Sequence, residues 1–263
     1  MVEKKLRLGG MALSNGVLVH GPTSWACAVR TSSGALKVAS GRKPRVAVSS
    51  NLPLLRGPAR LLEAILVLPR VRRDLPEARF AFERRNVLAA MAAAGVAARA
   101  IRESERLSPM AQELVGGVIS LAPALIALRG GELAAYHGAE HISIGTYEHG
   151  EGAQKEHERC GSHLVGPLIL ASAAGAGLAS RAPERLRKPA SLVASLGAFA
   201  ASTEIFGWMV RNPANPLAKA LAWPGTELQS RFATADPSPA QVEVAQAALD
   251  ACLERERAAV APA

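Results

Sequence analysis

The stretch Cys160-Gly-Ser-His-Leu-Val-Gly-Pro-Leu-Ile-Leu-Ala-Ser-Ala-Ala-Gly-Ala-Gly-Leu-Ala-Ser180 runs for 21 residues without Asp, Glu, Lys or Arg. A helix of about 20 apolar residues spans the ~30 Å hydrocarbon layer of a bilayer. A second stretch, residues 189–210, contains 22 residues and one charged side chain, Glu204. These two stretches predict transmembrane helices, and they decide the fold class.

Two shorter apolar stretches precede them in the chain. Residues 86–98 and 114–128 carry no charge over 13 and 15 residues, and Arg99 and Arg129 follow them. Either stretch can cross a bilayer if the arginine side chain reaches the interface. Buried helices of a soluble bundle are the alternative, because alanine-rich segments of this length fit both environments. We therefore expect a mainly α protein with a helical membrane core of three to four apolar helices.

The regions on either side of this core follow other patterns. Residues 1–58 alternate apolar and polar side chains between Gly and Pro, which predicts a small, basic, β-rich N-terminal domain. Residues 59–85 predict an amphipathic helix and a linker. The membrane core then covers residues 86–210, with a metal-site loop at 136–163. Residues 211–263 predict a C-terminal tail that ends in a soluble helix.

The net charge of +9 is concentrated near the N-terminus. Residues 1–85 contain 16 Lys and Arg against 5 Asp and Glu. No interleaved aromatic side chains or finger motifs accompany this charge, so we expect no nucleic-acid binding. A cytoplasmic domain beside a lipid bilayer explains the charge better. Segment 181–188 is also basic, so the positive-inside rule does not fix the number of spans.

Five of the six histidines lie between positions 137 and 163. The first group, His137-Gly-Ala-Glu140-His141, has the pattern H-x-x-E-H. On a helix, residues four apart share a face, so both imidazoles can bind one divalent cation, and zinc is the usual occupant of such a set. Glu140 lies on the same side and is the candidate general base that activates water.

Further ligands are needed to complete the site. His157 and Cys160 are three residues apart, close enough to bind the same ion. Glu204 is a carboxylate within an apolar helix, where it requires a partner, and we predict that it is a remote metal ligand; a position at the membrane interface is the alternative. Four neighbours are predicted to support the ligands by hydrogen bonds: Tyr147, Glu148, Arg159 and His163.

Several motifs resemble those of one known family. Tyr136-His-Gly-Ala-Glu-His141, Thr146-Tyr-Glu148 and His157-Glu-Arg-Cys-Gly161 resemble the paired signatures of the YqhQ-like family, and Gly9-Gly-Met-Ala-Leu-Ser-Asn-Gly16 resembles its opening motif. The resemblance implies a bacterial multi-pass membrane protein and a metal-dependent enzyme of unknown reaction. The chain departs from the family pattern at Asn15, where Glu is usual, and at Glu158, where Pro is usual.

These observations combine into one expected function. We expect a membrane-embedded, zinc-type metal-dependent hydrolase of the bacterial inner membrane, with its N-terminal domain in the cytoplasm. Its partners are expected to be the bilayer and a membrane-near substrate that contains an amide or ester bond. The alternative is a metal-binding structural or assembly protein, in which four protein ligands leave no open position on the ion. A metal sensor or carrier is a second alternative.

Overall fold

A computed structural model describes residues 5–46, 52–129, 131–150 and 152–260 of the chain. Residues 47–51 of the predicted N-terminal domain lie outside the described residues. The chain opens with four strands that form one antiparallel sheet in sequence order: β1 (Gly9–Leu13), β2 (Gly16–His20), β3 (Ser24–Arg30) and β4 (Leu36–Arg42). Short turns join these strands, because antiparallel neighbours need only a few residues between them.

Helices make up most of the rest of the described residues. Short 3-10 turns lie at Ala81–Glu83 and Gly161–Leu164, and a π-helical turn lies at Gln229–Ala233. The α-helices, in chain order, are α1 (Arg56–Ile65), α2 (Leu68–Asp74), α3 (Arg85–Arg102), α4 (Pro109–Ile119), α5 (Ala122–Leu128), α6 (Glu132–His149), α7 (Val165–Ala179), α8 (Glu184–Arg211), α9 (Pro216–Leu228) and α10 (Pro239–Val260).

The sheet is covered on both faces. Val17 and Val19 face one core, which α6 and α10 close with side chains such as Leu249. Leu18 and Trp25 face a second core, which is closed by α2. A strand that is buried on both faces has no polar side to alternate with, and this explains the continuous apolar run along β2 and β3.

A buried carboxylate fixes α10 to the sheet. Glu256 is 2% exposed and accepts hydrogen bonds from the backbone N–H groups of Thr23 and Ser24, each at 2.7 Å, and from the Thr23 hydroxyl at 2.7 Å. Hydrogen bonds to a charged acceptor are stronger than neutral ones. The C-terminal helix is therefore attached directly to the turn between β2 and β3.

Three helical segments are long and apolar enough to cross a membrane: Pro109–Leu128, Gly161–Ala179 and Glu184–Arg211. Their large apolar side chains point outward, and Val118, Leu178 and Leu192 are 63%, 66% and 63% exposed. In water such exposure forfeits about 25 cal/mol for each Å² of apolar surface that could have been buried. An outward apolar belt is the pattern of helices that face lipid.

A fourth helix lies beside the first of these segments. Val87, near the start of α3, packs against Ala127 and Leu133, so this end of α3 adjoins the end of α5. At the other end, the Arg102 Nε donates to Glu113 Oε1 at 2.8 Å. Several large apolar side chains of α3 also face outward. α3 is thus antiparallel to α4 and α5 and belongs to the same bundle.

α7 and α8 form the second antiparallel pair. Their contact is close at Gly175, where an added Cβ would lie 3.3 Å from the Cβ of Ala194. His163, just before α7, and Met209, near the end of α8, line a common cavity. The starts of α3 and α7 and the ends of α5 and α8 therefore lie at one end of the bundle, the end that carries α6 and the sheet.

The predicted fold class is confirmed. The protein is mainly helical, with three apolar spans, a small four-stranded N-terminal sheet and a C-terminal helix. Two details differ from the sequence prediction. The segment Gly9–Leu13 is a strand that we did not predict, and the amphipathic helix predicted from residue 59 is divided into α1 and α2, because Pro69 starts a new helix.

The antiparallel order of the bundle predicts which loops share a side of the membrane. If all four helices cross, residues 103–108 and 180–183 lie opposite the sheet. In a Cys160→Ser background, we expect Glu105→Cys and Ser180→Cys to react with a membrane-impermeant maleimide from one side and Ser32→Cys from the other. Cys27 and Cys252 are buried and give little background labelling. Labelling of Glu105→Cys and Ser32→Cys from the same side would contradict this arrangement.

Candidate metal centre

α6 carries the two histidines of the H-x-x-E-H pattern. His137 and His141 are one helical turn apart, and their ring centroids are separated by 4.3 Å. α6 is packed so closely by its neighbours that most of its residues are buried, and His141 is only 3% exposed. The helix thus presents two imidazoles side by side in a place shielded from solvent, as predicted from the four-residue spacing.

Cys160 completes a group of three possible ligands. Its Sγ lies 3.5 Å from His137 Nε2. One ligand atom each from His137, His141 and Cys160 lies within 4.8 Å of the others, a spacing at which one metal ion can contact all three. Two imidazole nitrogens and a thiolate suit zinc, which takes nitrogen and sulfur ligands in tetrahedral sites.

Backbone carbonyls orient the two imidazoles. His137 Nδ1 lies 2.8 Å from the Ala233 carbonyl oxygen, and His141 Nδ1 lies 2.5 Å from that of Lys155. Because a carbonyl can only accept, Nδ1 carries a hydrogen in both rings, and Nε2 is the nitrogen left to bind a metal. Metal-binding histidines are commonly held in this way. The donor set and its supports therefore fit a zinc-type ion.

Glu140 lies beside the group. Its side chain is buried, and Oε2 lies 3.9 Å from His137 Nε2. Burial raises the pKa of the Glu140 carboxyl above its usual value, and the imidazoles of His137 and His157 partly oppose this. The other wall of its pocket is the backbone of β1, since a Cβ added at Gly10 would lie 2.2 Å from Glu140 Oε1.

The predicted ligand His157 neighbours the group without belonging to it. Its ring centroid is 5.5 Å from that of His141, but its Nε2 lies 3.3 Å from Glu148 Oε2. Arg159 also binds the Glu148 carboxylate. Burial favours a high pKa for Glu148, but the hydrogen bonds from His157 and Arg159 outweigh it and lower the pKa. These contacts with Glu148 fix the position of the segment that carries Cys160.

The prediction that Glu204 is a metal ligand is corrected by the structure. The Arg56 Nε donates to Glu204 Oε1 at 2.8 Å, and a second N–H of the same guanidinium bonds Oε2. The Leu54 N–H also donates to Oε1, at 3.1 Å. This carboxylate of an apolar helix does have a partner, as its surroundings required. That partner is an arginine of α1 and not the histidine pair.

Two other predicted supporting residues have different surroundings. The Tyr147 hydroxyl accepts a hydrogen bond from the Leu6 N–H at 3.0 Å, and its ring packs against the core between sheet and helices. His163 is buried, with Nε2 3.2 Å from the Thr226 hydroxyl and beside the Gln229 amide. Tyr147 thus joins the N-terminal segment to α6, and His163 joins the start of α7 to α9.

A cavity of about 410 Å³ opens on the candidate ligands. α6 forms one wall of this cavity, β1 forms another, and residues 157–162 form a third. Four further residues of this region were not predicted: Gly10, Lys155, Gln229 and Ala233. Lys155 and Ala233 act through their carbonyl groups, and Gly10 acts through its lack of a side chain. The residue type at these three positions therefore does not indicate the role.

The geometry predicts which substitutions remove a bound metal. His137→Ala, His141→Ala and Cys160→Ser each delete one of three ligands, and we expect each to lower zinc affinity by more than about 100-fold, the upper range for lost outer contacts. Elemental analysis of purified protein measures this. His149→Ala is the matched control, because that imidazole lies on the same helix and its side chain is 78% exposed. Full occupancy in His137→Ala would refute the site.

The Arg56–Glu204 pair predicts a separate effect. Glu204→Gln keeps the shape of the side chain but leaves the Arg56 guanidinium without its counter-ion. We expect lower thermal stability in detergent and unchanged stoichiometric zinc, because this carboxylate lies outside the three-ligand group. Loss of zinc with unchanged stability would restore Glu204 as a ligand.

The part of the chain that carries the candidate ligands is similar to one known family. Residues 131–255 match the model of a family described as a protein of unknown function, DUF1385. The match includes α6, Cys160 and most of α10, and it excludes the sheet. Comparisons with curated proteins and with solved structures give no match. The region that carries all three candidate ligands is therefore similar to a family without an assigned reaction.

Proposed function

We propose that the protein is a membrane-bound, metal-dependent hydrolase of the zinc type. The observation that carries this proposal is the position of Glu140, a buried carboxylate 3.9 Å from His137 Nε2 that lines the same cavity as all three candidate ligands. A structural zinc site generally has four protein ligands, whereas a catalytic site has three and keeps one position open. Three ligands beside a cavity and a carboxylate support the catalytic arrangement.

Each residue then has a defined task. His137, His141 and Cys160 would hold the ion, which supplies Lewis acidity toward a carbonyl group and toward water. Glu140 would accept a proton from the attacking water and pass it to the leaving group. The Ala233 and Lys155 carbonyls keep both imidazoles in the tautomer that binds metal.

The site's place in the fold supports action close to a membrane. It lies at the end of the apolar bundle, beside the sheet. The described part of residues 1–85, which is strongly basic, forms the sheet, α1 and α2 at the same end of the molecule. We place this end at the cytoplasmic face of the bacterial inner membrane, since positive charge is retained in the cytoplasm.

A structural role is the second candidate, and one observation favours it. The candidate ligands come from two segments, α6 and the loop that precedes α7, so one ion would tie the two together. In that case removal of the metal would mainly lower stability. Zinc-free protein would then unfold or aggregate, with no catalytic property to lose.

Glu140→Gln separates the two candidates. The amide cannot take up a proton, but the three ligands remain, so we expect full zinc content and at least about a 100-fold loss of hydrolysis. The assay uses zinc-loaded protein in detergent with chromogenic ester and anilide substrates. Glu132→Gln, an exposed carboxylate at the start of α6, is the matched control. Unchanged hydrolysis by Glu140→Gln, or absence of zinc-dependent hydrolysis in the wild type, would reject the hydrolase.

A further inference from the structure

Among the residues that the structure describes, β1 is the edge strand of the sheet and pairs with β2 alone. Just beyond β1, the Ser14 N–H donates to the Arg79 carbonyl at 2.9 Å, so the unpaired part of the edge ends there. The pairing between β2 and β3 shows which residues of β2 form hydrogen bonds to each neighbouring strand. The Arg30 N–H donates to the Asn15 carbonyl, in register with the β2–β3 pairing. Because the direction of hydrogen bonding alternates along a strand, odd-numbered residues of β2 bond to β3 and even-numbered residues bond to β1.

This alternation leaves part of the β1 backbone free. The even-numbered residues of β2 are in register with Gly9, Met11 and Leu13. Gly10 and Ala12 lie between these positions and direct their N–H and C=O groups away from the sheet. Within the described parts of the chain, no hydrogen bond is made by the backbone of Gly10 or Ala12 on that side. Such an edge can accept another strand.

The free edge opens into the cavity of the candidate metal centre. Residues 8–12 line this cavity together with His137 and Glu140. The cavity also reaches His20, whose neighbour on the same face of β2, Leu18, packs in the core that lies away from α6. The cavity therefore reaches both faces of the sheet beside Gly9 and Gly10, where the side chains of an added strand would point. Farther along the strand, the Ala12 side chain packs against the cluster of Val87, Ala127 and Leu133.

Gly10 sets the spacing between this edge and the site. It is exposed, and an added Cβ would overlap the Glu140 carboxyl at 2.2 Å. With no side chain between them, the strand backbone lies directly against the carboxylate. A chain paired with β1 would lie about 4.8 Å from it, so its own peptide groups would pass close to Glu140 and His137.

We infer that the β1 edge binds an extended polypeptide segment as a fifth strand, so that the substrate of the metal centre is a peptide bond. This inference rests on the proposed function. Gly10 and Ala12 offer donors and acceptors in alternation, which a polypeptide backbone matches and a lipid headgroup does not. Hydrolysis then consumes one water molecule and breaks the C–N bond, and it yields a carboxylate and an amine.

Hydrogen exchange of the full-length protein in detergent tests the edge directly. The probe is reduced, carboxymethylated α-lactalbumin, a polypeptide that cannot refold. We expect the amides of Gly10 and Ala12 to exchange at least about tenfold more slowly with saturating probe, while the Met11 amide, already bonded to β2, does not change. Unchanged exchange at Gly10 and Ala12 would overturn the inference. The same protection by phospholipid vesicles without probe would assign the edge to lipid and would also overturn it.

A proline substitution provides a second measurement. Ala12→Pro removes an N–H that the sheet does not use, and proline is tolerated at such edge positions. We expect probe binding to weaken by about tenfold, as for the loss of one or two hydrogen bonds, with unchanged zinc content. Ala12→Ser is the matched control and should bind like the wild type. Equal binding by both variants would refute docking at the edge.

The hypothesis of polypeptide binding at the β1 edge and the hypothesis of a metal site can be rejected independently of each other. Backbone pairing needs no metal, so we expect amide protection in zinc-free protein as well. Protection of the edge in a protein that never binds zinc would reject the hydrolase and keep the docking surface. Stoichiometric zinc without protection would keep the metal site and reject a polypeptide substrate.

Discussion

The packing of α6 on all sides is the constraint on which the rest of the molecule depends. α6 touches the sheet, α5, α10 and the π-helical turn before α10. Small residues make this possible: an added Cβ at Gly138 would lie 2.2 Å from the Ala235 carbonyl, and one at Gly145 would lie 2.9 Å from Ala153. Because the backbone of the neighbours comes so close, their carbonyl groups can reach the histidine rings. A larger side chain at either glycine would separate the helix from the groups that orient its ligands.

The features with a periodic signal could be predicted from the sequence. The length of the apolar runs indicated the helices of the bundle, and the four-residue spacing placed His137 and His141 on one helix face. Both features depend on local geometry, which the order of residues along a helix determines directly. Cys160 was predicted from its spacing to His157, whereas the structure places its Sγ beside His137, and spacing along the chain does not reveal that contact.

The parts that escaped prediction depend on distant contacts. Gly9 and Gly10 have low strand propensity, so β1 gave little signal before its pairing with β2 was known. The partner of Glu204 is Arg56, 148 positions earlier in the chain, and no spacing rule connects them. The free-energy cost of placing a charged carboxylate in an apolar helix indicates that Glu204 needs a partner, but it does not say which residue that partner is. Metal ligation was predicted, with a position at the membrane interface as the alternative, and the tertiary structure supplies an arginine instead.

The position of Cys160 has a consequence for the order in which this protein is made. Synthesis proceeds from the N-terminus, so α6 is complete before Cys160, and Cys160 is complete before the apolar helix that begins at Val165. The third ligand can reach His137 only when the segment before α7 has folded back onto the first half of α6. The Ala233 carbonyl, which orients His137, arrives later still, after α8 has turned back. A complete metal centre therefore requires that α7 and α8 are in place and that the chain has returned to α6, so the ion would bind only at a late stage of assembly.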